Sequence, residues 1–233
     1  MKNHICFVLG AGASIPYGYP SGKGLISKII ENFNLRKDVN SAQQNISDLR
    51  SLNIDIEEIK DLVDSLRHSG AISIDQLLEN RPKLVKVGKF AIVQALLNVS
   101  EILRPKDDHW YEYIWNLMCK YNNVESFNSK KYRFITFNYD LTFETYLANV
   151  LTRFYGIDID RASEMIKDMN IIHIHGKLGN YPWIEDNSSY ILPNNPSKEA
   201  ENIYSKALGI KIIHEMNGNN SVYDDAFNIL NHY

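Results

Sequence analysis

Three short polar clusters in this chain have residue types and spacing suited to chemistry. The first, Gly10-Ala11-Gly12-Ala13-Ser14, follows directly on the apolar run Phe7-Val8-Leu9. Two glycines one residue apart let backbone N–H groups approach a phosphate that a side chain would hold off. After a short strand, the cluster reads as the phosphate loop of a nucleotide-binding sheet. Gly10, Ala11, Gly12 and Ala13 would supply N–H groups and Ser14 a hydroxyl. The second cluster, Asn138-Tyr139-Asp140, ends the strand-like run Arg133-Phe134-Ile135-Thr136-Phe137. The third, His175-Gly176, ends Ile171-Ile172-His173-Ile174. Ligands of an open parallel sheet sit beyond its C-terminal strand ends, so three such strands would bring the clusters to one crevice. A histidine there, with an ordinary pKa of about 6.5, suits general-base work near neutral pH.

Each cluster also has a plainer explanation. The glycine pair could be a strand-to-helix turn and nothing more. Asn138 and Asp140 are both residue types that favour helix N-caps and could open the helix beginning at Leu141. His175 could bond to backbone in a tight turn. His173 and His175 alternate along one strand face, which invites a metal. No cysteine or third ligand lies near them in sequence, so a metal is not expected. Asp75 reads as a first-turn carboxylate favoured by a helix dipole. Glu31 lies near the offset of about twenty residues at which a ribose-binding acid is sought, but sits in a helical pattern as a solvated residue. The aromatic group Trp110, Tyr111, Tyr113 and Trp115 reads as core or lobe interface.

The elements that must hold these clusters follow from periodicity. Ser21 caps a helix with Leu25, Ile26, Ile29, Ile30 and Phe33 on its buried face. Between Asn34 and Lys131 no strand pattern stands out. Ile46, Leu49 and Leu52 follow helical spacing, as do Ile59, Leu62, Val63 and Leu66. Ser73-Ile74-Asp75-Gln76 is a capping box opening a helix at Leu77-Leu78. Leu84 to Leu103 predicts one long amphipathic helix stopped by Pro105, and Trp110, Tyr113, Ile114, Leu117 and Met118 predict another. Past Gly179 the pattern weakens. Tyr181-Pro182-Trp183 and Leu192 to Pro196 read as loop, Lys198 to Leu208 as helix and Ile210 to Ile213 as strand or helix. Val222, Ala226, Ile229 and Leu230 mark a last helix. A doubly wound sheet would continue from that helix into a further strand, so a missing C-terminal part is expected.

Composition narrows the class. The 233 residues suffice for one α/β domain with an insertion, and the net charge of −3 gives no basic face for nucleic acid. No segment carries the ~18 apolar residues of a membrane span, and no signal peptide is visible. Two cysteines, Cys6 and Cys119, rule out a disulfide framework or a four-cysteine zinc site. Cys6 reads as a buried small hydrophobe. A reduced, cytoplasmic protein is the expectation.

At these residues the chain resembles the sirtuins. Gly10-Ala11-Gly12-Ala13-Ser14, Gly18-Tyr19-Pro20, Thr136-Phe137-Asn138-Tyr139-Asp140 and His175-Gly176 follow the sirtuin order of motifs. Gly18 to Ser21, Ser73-Ile74-Asp75 and Asn138-Tyr139-Asp140 look closer to the NAD-hydrolysing sirtuin-like domains of bacterial antiphage defence than to the deacylases. The departures point the same way. No Cys-x-x-Cys pairs follow the His-Gly, so the deacylase zinc module is missing. Ser21-Gly22-Lys23 stands where deacylases carry Asp-Phe-Arg, and Phe137 replaces a glutamine.

The resemblance implies a Rossmann-like, doubly wound parallel sheet with a helical insertion lobe. Residues 1–33 and 132–233 would form the NAD-binding core and 34–131 the insertion of a single sirtuin-like domain. It implies a NAD⁺ glycohydrolase, an antiphage-defence effector that takes NAD⁺ as substrate without a metal. Asn138 would hydrogen-bond the ribose or the attacking water, and His175 would act as base. Asp140 would receive the nicotinamide carboxamide, and the phosphate loop, Pro20 and Gly176 would complete the NAD⁺ site. The implied partners are a second copy or another defence protein or domain, with no direct nucleic acid and no membrane. A non-catalytic NAD⁺ or ADP-ribose sensor and a zinc-free deacylase are the alternatives.

Overall fold

The computed structural model describes residues 5–33, 54–97, 109–120, 123–179, 207–212 and 221–231. It is an α/β protein, mostly helical, with one small parallel sheet among the described residues. Contacts divide the chain into two compact units.

The sheet unit comprises Met1–Gly18, Ile102–Tyr190 and Gly218–Tyr233. Its strands β1 (Ile5–Leu9), β2 (Tyr132–Thr136) and β3 (Ile171–His173) lie in that order, all parallel. β2 and β3 each stop one residue earlier than their apolar runs suggested. The register sets Leu9 opposite Thr136 and Thr136 opposite His173, so all three strands end level. The ladder runs one step further, with Phe137 N–H donating to Leu9 O and Ile174 N–H to Thr136 O. The expected meeting of the strand ends is therefore present in the fold.

Among the described residues β1 is an edge strand, and its exposure agrees. Val8 is 57% exposed, and Cys6 is half-buried rather than buried, although what burial it has still pushes its thiol up. β2 is covered, with Phe134 stacked on Phe7 (ring centroids 5.2 Å) and in tilted contact with Phe143 (4.6 Å).

Four helices complete the described part of this unit. They are α5 (Trp110–Cys119), α6 (Thr142–Tyr155), α7 (Ile159–Asp168) and α8 (Ser221–Asn231). The predicted helix at Trp110 forms, but with a different face inward. Tyr111, Ile114, Trp115 and Met118 are buried, while Trp110, Tyr113 and Leu117 are exposed. Apolar character alone could not tell these two faces apart. The last helix expected from Val222, Ala226, Ile229 and Leu230 forms as α8, which buries Ala226 and leaves Leu230 exposed.

The helical unit comprises Tyr19–Glu101 and Ile191–Asn217 and includes the first helix. α1 (Gly22–Asn32) starts where Ser21 accepts from Gly24 N–H and buries Leu25, Ile26 and Ile29. α2 (Ile56–His68) is capped by Asp55 and buries the predicted Ile59, Leu62, Val63 and Leu66. α3 (Ile74–Asn80) begins at the predicted box, with Ser73 accepting from Gln76 N–H and Gln76 accepting from Ile72 N–H. α4 (Val85–Leu97) departs from its amphipathic expectation, because every residue from Phe90 to Leu97 is buried. It is a central helix wrapped by neighbours, α1 among them. The expected continuation of this helix to Leu103 and the pattern at Ile46, Leu49 and Leu52 lie outside the described residues. So do most of the readings between Tyr181 and Leu208.

α4 packs on α3 at Gly88, where an added methyl would meet the Leu78 side chain at 2.5 Å. Leu78 is fully buried, so its side chain would have to shift within the packed interior. Gly88→Ala should lower unfolding stability by about 1–3 kcal/mol in urea denaturation. A stabilised variant, as helix propensity alone would give, would contradict this packing.

Candidate functional site

The glycine loop leaves β1 in ordinary backbone conformation. Gly10 is extended (φ −113°, ψ −178°), and Ala11–Ala13 and Ile15–Tyr17 form two tight 3-10 turns. The chain thus turns twice before any α-helix begins. Within the turns Ala13 N–H donates to Gly10 O and Ser14 N–H to Ala11 O. The N–H groups at the start of such a turn have no partner inside it, and here they belong to the exposed Ala11 and Gly12. A methyl added at Gly10 or Gly12 meets nothing within 4 Å, and neither residue needs a positive φ. The fold itself gives no reason for glycine at either place. Gly176 differs, because its φ of 75° explains the residue by backbone conformation alone.

Ser14 faces inward, and its hydroxyl is not presented to a phosphate as expected. It is 1% exposed and saturated. Asn138 Nδ2 donates to Ser14 Oγ (2.9 Å) and to Gly10 O (3.1 Å), and Ser14 Oγ–H donates to Asp140 Oδ1 (3.1 Å). The Tyr111 hydroxyl lies 2.8 Å from the same oxygen. A serine has one proton and two lone pairs. Its proton goes to Asp140, so Tyr111 must donate, and all three places are filled. Burial keeps the Tyr111 phenol protonated by raising its pKa well above the ordinary value. The amide orientation of Asn138 follows from chemistry, since Gly10 O only accepts. Asn138 Oδ1 is left as the acceptor of that side chain.

Asp140 Oδ1 also accepts from Thr142 N–H (3.1 Å), so the carboxylate serves the first turn of α6. Asp140 stands one residue before the N-cap Leu141, so it supports the helix start without being the N-cap itself. Burial raises its pKa, against hydrogen bonds from Thr142 and Ser14 that favour the charged form.

The two histidines part company. β3 ends at His173, whose side chain is buried between the Asn138 carbonyl (Nδ1, 2.9 Å) and Glu144 (Nε2, 2.6 Å). His175 lies in the turn beyond, half-buried, its ring 5.8 Å from Phe137 and 5.9 Å from Tyr139. Its Nδ1 is buried with no hydrogen-bond partner among the described residues. Unpaired buried groups cost about 1–3 kcal/mol and call for a functional explanation. Leu178 N–H donates to Tyr139 O, which ties this turn to the Asn138 loop. Pro20 belongs to the helical unit. No group of three or more His, Cys, Asp or Glu among the described residues is placed to hold a metal ion.

Two of the clefts formed by described residues open on the sheet unit. One, of about 420 Å³, runs beside the glycine loop and is walled by Phe7, Leu9, Gly10, Gly12, Trp110 and Tyr113. Trp110 and Tyr113, expected in a core or interface, form its exposed aromatic side. The other, of about 530 Å³, lies between α5 and α6 and includes Tyr17, His109, Glu112, Asn116, Tyr146 and Arg153. Tyr17 is stacked on Tyr111 (5.0 Å) and bonded to His109 (3.1 Å). Burial drives its phenol far up.

Tyr111 and Glu144 gave no sign of their roles in the sequence. Tyr111 was one aromatic among four, and Glu144 looks like a first-turn helical acid. Both depend on partners 97 and 29 residues away respectively.

Ser14→Ala should cost about 2–3 kcal/mol in urea denaturation, because Tyr111, Asn138 and Asp140 each lose a partner in a buried place. Tyr111→Phe removes one donor and should cost about 1 kcal/mol. A neutral Ser14→Ala would contradict the saturated hub. No family model, curated protein or solved structure matches this chain.

Proposed function

We propose that this chain is a NAD⁺ glycohydrolase on a Rossmann-like domain of sirtuin type, cleaving the nicotinamide–ribose bond to nicotinamide and ADP-ribose. The carrying observation is that three level, parallel strand ends bring Gly10 to Gly12, Asn138 and the His175 turn to one edge. The open space at both glycines supports close approach of a phosphate to the N–H groups of Ala11 and Gly12. The aromatic cleft alongside suits a flat heterocycle.

Chemistry at such an edge uses few groups. As the glycosidic bond breaks, the electron pair leaves with nicotinamide, which departs neutral, and positive charge develops on the ribose. Water then attacks the anomeric carbon, donating one hydrogen bond to Asn138 Oδ1 and its proton to His175. With Ser14 and Asp140 committed to the buried hub, they position Asn138 and the start of α6. In this proposal the pyrophosphate contacts come from backbone alone. The resemblance extends the proposal to a cytoplasmic defence effector held in check by a second copy or partner domain.

Nicotinamide release from NAD⁺ by the purified protein tests this reading. Asn138→Ala and His175→Ala should each lower the rate by about 10²–10⁴-fold. Activity that survives both would reject the assignment, and tight NAD⁺ or ADP-ribose binding without release would identify a sensor. The double change Gly10→Ala/Gly12→Ala should weaken NAD⁺ binding at least about tenfold, or 1.4 kcal/mol, in calorimetry. Its thermal midpoint should not fall, because neither methyl meets the protein and each restricts the unfolded chain. Unchanged affinity would remove the phosphate loop from the account.

A further inference from the structure

His173 and Glu144 are buried, with side chains 5% and 1% exposed, and the chemistry proposed above uses neither. Their geometry restricts where protons can be. Nδ1 of His173 lies 2.9 Å from the Asn138 carbonyl oxygen, which only accepts, so Nδ1 must carry a proton. Nε2 lies 2.6 Å from Glu144 Oε1. That contact also needs one proton, either on the imidazole facing a carboxylate or on the carboxyl facing an imidazole lone pair. In both forms the pair is neutral overall and both hydrogen bonds are made. Removing the shared proton leaves one ring proton for two contacts. On Nδ1 it leaves a lone pair against a buried carboxylate, which a low-dielectric interior strongly disfavours, and on Nε2 it satisfies Glu144 but leaves a lone pair against the Asn138 carbonyl.

We infer that His173 and Glu144, sharing this one proton, form a clamp that holds the Asn138 backbone in place and releases it when the proton is lost. Asn138 is the point where the clamp meets the site. Its side chain spans Gly10 and Ser14, and its N–H donates to Thr136 Oγ1 (3.0 Å). His173 is therefore a positioning residue acting through the Asn138 carbonyl, and its bearing on catalysis rests on the role proposed for Asn138.

The surroundings fix the direction of the pH effect. Burial by itself lowers the pKa of His173. Glu144, the Asn138 carbonyl and the buried Asp140 outweigh it and leave the pKa raised. Arg133 on β2 is turned to the carbonyls of Lys130, Tyr132 and Asp168. On α8, which packs on β3, Tyr223, Asp224 and Asp225 are exposed. A raised histidine pKa means that the clamp's stabilisation is complete below the ordinary value of about 6.5 and is lost as pH rises through the folded value.

Nuclear magnetic resonance of the whole chain tests the clamp without NAD⁺, so its outcome is separate from that of the glycohydrolase reading. In ¹⁵N-histidine-labelled protein at pH 7, His173 Nδ1 should show a directly bonded proton. Between neutral and alkaline pH the amide protection of Asn138 should fall at least about tenfold. In Glu144→Gln the amide N–H₂ can donate to Nε2 with no proton to lose, so Asn138 protection should stay within about twofold over the same range. An unprotonated Nδ1, or a Glu144→Gln variant that loses protection in parallel with the parent, would overturn the clamp.

Discussion

The parallel register of β2 with both neighbours is the constraint on which the rest depends. Thr136 stands level with Leu9 on one side and His173 on the other. Everything of chemical interest begins at the next few residues. A slip of one residue in either pairing would turn side chains to the opposite face, separating Asn138 from Gly10 and His173 from the Asn138 carbonyl. The backbone bonds beyond the strands, from Phe137 to Leu9 and from Ile174 to Thr136, carry that order into the loops. Side chains then lock it. Asn138 is held from the front by Gly10 and Ser14 and from behind by His173.

The edge divides its polar groups between two tasks. Ser14, Tyr111 and Asp140 on one side of Asn138, and His173 with Glu144 on the other, are buried and hydrogen-bonded, a condition that makes buried networks rigid rather than costly. Asn138 Oδ1 and His175 stand apart from those networks. A site for bond cleavage needs this division, because reacting groups must be free to change partners while their supports must not.

Local features were legible in the sequence. Ser21 and Ser73 each mark a helix start through their own hydroxyl, and the strands before Gly10, Asn138 and His175 stand out as apolar runs. The level strand ends followed from the ordinary behaviour of parallel sheets. What the sequence could not show was which polar groups would pair across the chain. Ser14 resembles a phosphate ligand until Tyr111, Asn138 and Asp140 fill its hydroxyl. His173 and His175 look equivalent two residues apart, but the strand stops between them and leaves one deep and the other in a turn. Trp110 and Tyr111 are adjacent aromatics of which one lines a cleft and the other holds the hub. Only helix phase and distant neighbours decide that.

The most direct measurement of the central claim is amide chemical-shift mapping on titration with NAD⁺. The account predicts perturbations concentrated at Ala11, Gly12, Asn138 and His175, at the level ends of the three strands. Perturbations centred on His109, Asn116 and Arg153, in the cleft between α5 and α6, would contradict it, as would an unperturbed spectrum at saturating NAD⁺.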